Sequence, residues 1–204
     1  MTGMSALHAL FSFLCTLIAV FYFLRLVNGC RWVKHFDAEN EIGHGMMAIG
    51  MIFMLVPAAW LSADLLHWNI LLFAAAALWW TFRLFVRKPL LPLLLKKDAV
   101  HVLFQSEVRS DAIHVFMHGS MCYMFLLMSS MVLSMTQPVT YVTCLLFASF
   151  AFLTLFYGRE TLRDLQAASV DRLQLGANLA HVLMSGIMCW MFLEMIAMTM
   201  AMRG

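Results

Sequence analysis

Apolar residues fall in six blocks along the chain, at about 4–26, 44–62, 68–86, 113–134, 139–157 and 177–200, with charged and polar residues gathered between them. Each block approaches the ~20 residues that an α-helix needs to cross the hydrocarbon core of a bilayer. The connections are of two kinds. Those at 25–43, 83–111 and 157–177 hold 12 of the 13 Lys and Arg residues, the exception being Arg203, and the short links between the other blocks hold none. By the positive-inside rule the three basic connections face the cytoplasm and both termini face outward. The first block lacks a basic leader and a small-residue cleavage site, so it reads as a retained helix. The expected fold is all-α, a six-transmembrane-helix bundle in the inner (cytoplasmic) membrane of the cell.

Blocks two, four and six carry a second pattern inside the first. They read HGMMAIGMIFML from His44, HVFMHGSMCYMF from His114 and HVLMSGIMCWMF from His181. Each copy has His followed by Met at i+3, i+7 and i+10: Met47, Met51 and Met54; Met117, Met121 and Met124; Met184, Met188 and Met191. At about 100° per residue these offsets share a stripe roughly 80° wide on one helix face. In the second and third copies the stripe runs on through Met128, Met131 and Met135, and through Met195, Met198 and Met202. All but two of the 19 methionines, Met1 and Met4, lie in these three segments. Blocks one, three and five are plain apolar helices. The chain is therefore expected to be a single membrane domain, 1–204, built of three pseudo-repeated helical hairpins at about 4–62, 68–134 and 139–200.

Three local features refine this outline. Pro57 lies inside the second block and is expected to kink or end its helix. The segment RKPLLPLLLKKDAVHVLFQSEVRSD is expected to lie at the cytoplasmic interface, followed by an amphipathic turn or two. GRETLRDLQAASVDRLQLG has acid–base pairs at helical spacing and is expected to extend helix five or six.

Composition narrows the class. The chain has 204 residues, 63% hydrophobic and 12% charged, which is the signature of an integral membrane protein in contact with lipid. A formal charge of +2 carries little information, and the sequence contains no nucleophile motif, phosphate loop or nucleic-acid surface. A non-enzymatic role is expected. Most of the five cysteines lie inside the apolar blocks, where they serve as small apolar residues or soft ligands rather than as a disulfide framework.

The repeated stripe points to soft-metal chemistry. Thioethers are neutral, soft donors that suit Cu(I), and imidazole accepts copper as well. Neutral ligands also avoid burying an anion in hydrocarbon. If the three motif helices converge, His44, His114 and His181 form one layer, supplemented by His118, with Met layers behind it. Glu41, Asp111 and Asn178 precede the three histidines by three residues, and Asp37, Glu107 and Gln174 by seven. They act either as charges favourable at a helix N-terminus or as groups that orient the imidazoles or form a cation-attracting mouth. Glu194 is an intramembrane carboxylate beside Met195, a candidate pathway residue. Cys122 and Cys189 share the position after the middle Met of their copies. His8 and His67 read as interfacial residues.

Two other classes compete. Helical bundles hold b-type haem between His, or His and Met, on facing helices, and the four motif histidines could supply such a site. Met stripes also pack helices, which would fit an assembly subunit of a larger membrane complex. Copper handling is the reading that gives Met a reason to be absent from helices three and five, since Leu or Ala packs equally well. Its partners would be the metal ion, other membrane subunits or a copper-accepting protein.

The pairs Met47/Met51, Met117/Met121 and Met184/Met188 resemble the M-x-x-x-M motif of the Ctr family of copper transporters. In that family one pair from each of three subunits builds stacked thioether triads around a pore. The resemblance implies a pseudo-trimeric Cu(I) site within one polypeptide. It covers about 36 residues, and here each pair follows a histidine and lies toward the cytoplasmic end. Over its whole length the chain resembles bacterial multi-pass membrane proteins with repeated H-x-x-M-x-x-x-M helices, which implies no particular activity.

Overall fold

The structure, a computed structural model, describes residues 6–32, 38–56, 61–94, 97–129, 137–166 and 172–201, without the side chains of 29–32, 86–94, 97–109 and 137–138. The described residues form six α-helices: α1 (Ala6–Trp32), α2 (Ala38–Leu55), α3 (Ala63–Leu94), α4 (Lys97–Ser129), α5 (Gln137–Gln166) and α6 (Arg172–Ala201). Pro57, Asp37, Met131, Met135 and Met202 lie outside the described residues, as does the side chain of Glu107.

Among the described residues five helices are long and apolar enough to cross a membrane, over Ala6–Asn28, Ala63–Phe85, Ser110–Ser129, Val139–Gln166 and Arg172–Ala201. In lipid the helix is the solution that pairs every backbone N–H and C=O within the segment. Hydroxyl side chains follow the same constraint. Thr81, Thr143 and Ser185 each donate to the carbonyl four residues back, on Ala77, Val139 and His181, at 2.7, 2.8 and 2.7 Å. The protein is an all-helical, multi-pass membrane protein. The sixth helix, α2, falls outside the spanning class because Glu39, Asn40, Glu41 and His44 occupy its first two turns.

The basic connection before the second motif helix is more helical than a turn or two. Helix α3 continues to Leu94 and α4 already begins at Lys97, so the expected interfacial segment is largely helical. Its leucines, lysines and glutamate are strong helix formers, and that propensity carries both helices beyond the apolar block. At the other basic connection α5 runs on to Gln166, the extension that the acid–base spacing predicts.

The helices fall into two compact units, one of residues 1–57 with 130–204 and one of residues 58–129. In the first, α1 packs on α2, α5 packs on α6, and α1 also touches α6. Gly176 marks that touch: a Cβ there would sit 3.1 Å from two ring carbons of Phe21. In the second unit α3 packs on α4. The plain helices keep apolar side chains outward, with 17%, 17% and 11% of their spans buried in α1, α3 and α5, against 44% and 33% in α4 and α6. Within each unit the plain helix turns more of its apolar surface outward than the motif helix it packs on.

Each neighbouring pair is tied by polar contacts between its helices. Arg25 on α1 meets Glu41 on α2 at 2.7 Å, and Arg83 on α3 meets Asp111 on α4 at 3.5 Å. Between α5 and α6, Asn178 Nδ2 donates to Asp164 at 2.6 Å. Arg83 and Asp111 are both buried, so each charge depends on the other for what it lost on leaving water.

Breaking such a pair on one side costs more than removing it. The substitution Asp111→Ala should destabilise the α3–α4 pair by about 3–5 kcal/mol, whereas Arg83→Met combined with Asp111→Leu should cost far less. Chemical unfolding in detergent measures both, and equal losses would show that the ion pair does not tie these helices.

Candidate metal centre

Of the nine methionines at the three stripe positions, eight are buried and Met54 is partly exposed. His44, His114 and His118 are buried and His181 is partly so. The continuation of the stripe fares differently. Met128 and Met195 are partly exposed and Met198 is 59% exposed, so on α6 the enclosed thioethers end at Met191.

The first unit brings His44 of α2 and His181 of α6 face to edge, with ring centroids 4.5 Å apart and planes at 80°. Their Nε2 atoms are separated by 2.7 Å. The other nitrogen of each ring is already committed. His44 Nδ1 donates to the carbonyl of Asn40 and His181 Nδ1 to that of Ala177, both at 2.7 Å. A carbonyl oxygen only accepts, so both Nδ1 atoms carry the hydrogen and both Nε2 atoms present a lone pair in the neutral ring. Two lone pairs at 2.7 Å repel. The arrangement is favourable when a cation lies between them, either one shared proton or a metal ion bound by both nitrogens. A ring nitrogen fixed by donation of its partner N–H to a backbone carbonyl is also the usual support of a metal-bound imidazole.

Plain helices hold the rings in place. Tyr22 of α1 stacks on His44 at 4.8 Å and 14°, and Tyr157 of α5 stacks on His181 at 4.8 Å and 26°. Arg25, one turn beyond Tyr22, lies 6.0 Å from its ring centroid while pairing with Glu41. Glu41 is thus engaged with a guanidinium of the neighbouring helix, a different use from the helix-end charge or the imidazole support that its spacing from His44 offers. Along the stripe from the histidines, Met47, Met51, Met184 and Met188 are all buried.

The second unit repeats part of this. Trp80 of α3 stacks on His114 of α4 at 4.0 Å and 9°, and the Arg83 guanidinium lies 4.5 Å from a Trp80 ring centroid. His118 Nδ1 donates to the carbonyl of His114 at 2.8 Å. Asp111, the acid three residues before His114, pairs with Arg83.

The remaining sequence candidates are placed as follows. Cys122 points its thiol at the carbonyl of Ile70 at 3.7 Å and Cys189 at that of Phe147 at 4.0 Å, each toward its plain helix. Asn178 hydrogen-bonds Asp164. Glu194 on α6 meets His8 Nε2 of α1 at 3.2 Å, both side chains somewhat more than a quarter exposed. His67 donates to Ala63 at an exposed position. Tyr22, Trp80 and Tyr157 are the residues that periodicity did not reveal. A trace exists in the plain helices, where Tyr22-x-x-Arg25 and Trp80-x-x-Arg83 share a spacing.

Among the described residues no three His, Cys, Asp or Glu side chains converge into a closed metal cluster. The donors that do meet are two imidazoles, with thioethers buried along the same helix faces. Among curated proteins and solved structures, none matches the chain. A family model described as a domain of unknown function matches residues 36–195, which takes in all three copies of the His–Met motif. The chain belongs to that family, DUF5134.

Proposed function

We propose that this protein handles copper(I) within the membrane, as a transporter or as a membrane chaperone or store, and that His44 and His181 are its central donors. The observation that carries the reading is the opposed Nε2 pair at 2.7 Å with both Nδ1 atoms spent on carbonyls. Such a pair is satisfied by a cation between the rings, and two opposed imidazole nitrogens suit a soft monovalent d¹⁰ ion. At about 2 Å per metal–nitrogen bond the two atoms would stand ~4 Å apart, so the rings would part by roughly 1 Å on binding. Met47 and Met184, buried one turn from the histidines, are the nearest thioethers along each stripe.

The proposed architecture is six spans in three equivalent hairpins, with the basic connections cytoplasmic and both termini on the outer side of the inner membrane. Support for equivalence comes from a contact shared by all three: an aromatic residue of the plain helix stacked on the motif histidine of its neighbour. The Ctr-like M-x-x-x-M pairs fit the same picture as an analogy of donors. Haem b is the alternative ligand of this histidine set. Haem ligation by two imidazoles makes no use of the eight buried stripe thioethers, which favours the ion.

The double substitution Met47→Leu with Met184→Leu separates coordination from packing. Leu matches Met in volume, so each change should cost less than about 1.5 kcal/mol. The affinity of the purified protein for Cu(I), measured by competition with a chromophoric chelator, should fall at least tenfold. Replacing His44 and His181 with Leu should abolish that binding event. Unchanged affinity in both variants would leave the stripes as a helix-packing device. A strong Soret band in the purified protein would instead favour haem.

Orientation has its own test. A cysteine introduced in 97–109 of a variant lacking the native cysteines should react with a membrane-impermeant maleimide only after the cells are opened. Labelling of intact cells would invert the proposed topology.

A further inference from the structure

Among the described residues His118 is the most enclosed imidazole, with no exposed surface. Its Nδ1 donates to the carbonyl of His114 at 2.8 Å, so the hydrogen sits on Nδ1 and Nε2 carries a lone pair. That Nε2 is buried and meets no hydrogen-bond partner among the described residues. A buried acceptor without a donor has lost its hydrogen bond to water and gained nothing in return.

The neighbours offer no remedy. Phe73 lies at 5.9 Å between ring centroids and Trp80 at 6.4 Å, both tilted. Donors nearby in the sequence are used elsewhere: Ser120 donates to the carbonyl of Phe116 and the Cys122 thiol points at Ile70. Met121, one turn along α4 from His118, is 1% exposed and brings a thioether, a soft donor without a proton to give. The Nδ1–carbonyl bond alone does not make a site, because exposed His67 forms the same bond. Complete burial and a bare Nε2 set His118 apart.

We infer that residues 58–129 hold a soft-cation site of their own, in which Cu(I) or Ag(I) binds His118 Nε2 with the Met121 thioether as second donor. The rings of Phe73 and Trp80 supply polarisable walls that tolerate a desolvated cation. This site extends the copper reading, yet it shares no residue with the His44–His181 pair and differs from it in donors. It also alters the layer expected from sequence, in which His118 merely supplements His114.

The test is a silver(I) titration of the full-length protein in detergent, followed calorimetrically. Wild type should bind two equivalents. His118→Leu should bind one, and His44→Leu combined with His181→Leu should bind the other one. If His118→Leu retains both equivalents, or wild type binds a single equivalent lost only with His44 and His181, the second site is overturned and the paired-imidazole reading stands. If removing His44 and His181 leaves the count unchanged while His118→Leu lowers it, the paired-imidazole reading fails and the His118 site stands. Should His118→Leu not fold, Met121→Leu reads the site through affinity. One of the two binding events should weaken at least tenfold, and two unchanged events would overturn the inference.

Discussion

Two imidazole nitrogens that face one another with their lone pairs set the terms for the rest of the first unit. Each ring is turned by its own helix, because donation from Nδ1 to the carbonyl four residues back fixes the rotamer and the tautomer together. The helix of His44 and the helix of His181 must then approach closely enough for Nε2 to meet Nε2. Tyr22 and Tyr157 brace the rings from the plain helices, and the contact of Phe21 with Gly176 brings α1 against α6 near this level. A side chain at Gly176 would press on Phe21, the immediate neighbour of the bracing Tyr22.

On the proposed copper reading, charge makes the same arrangement selective. Arg25 and Glu41 form an ion pair one turn from Tyr22 and His44, and their opposite charges largely cancel at a distance. The donors themselves are neutral, two imidazoles and the thioethers of the stripe. The net charge of the centre is therefore that of whatever occupies the gap between the rings. In a low-dielectric surround a single positive charge is far easier to hold than two, since the desolvation cost rises with the square of the charge. The buried ion pair is better understood as a positioning device than as a source of stability. It fixes α1 against α2 at the height where Tyr22 must meet His44.

Much of this was legible in the sequence, and the reasons are physical. Long apolar blocks report membrane helices directly, because the bilayer sets a minimum length and forbids unpaired backbone. The helical period of His and Met identified faces that are indeed buried, down to His44, Met47 and Met51 on one short helix. The acids before His44 and His114 were visible as a register, but their partners were not. Arg25 and Arg83 lie on other helices, and periodicity within one helix says nothing about which residue waits across the gap. The same limit hid Tyr22, Trp80 and Tyr157, which look like ordinary apolar residues until a ring is stacked on them. Helix α2 marks a different boundary: its polar opening turns make it the weakest spanning candidate, although its second half is as apolar as the rest.

The stripe on α6 also changes character along its length, which bears on what the centre does. Buried thioethers run from Met184 through Met188 to Met191, ten residues or about 15 Å beyond His181. Past that point Met195 is partly exposed and Met198 mostly so. A continuous thioether ladder across the bilayer would require the opposite trend. At the level where the buried methionines stop, Glu194 meets His8 of α1, and both are partly open to the surroundings. Soft neutral side chains thus give way to a carboxylate and an imidazole. For the copper(I) ion proposed above, retention is favoured deep along the stripe, where the thioethers are enclosed and neutral. Exchange of such an ion would be favoured at the His8–Glu194 end, where both side chains are partly open to the surroundings. On the proposed copper reading the two ends of α6 divide holding from release, a division that serves a store or chaperone as well as it serves a transporter.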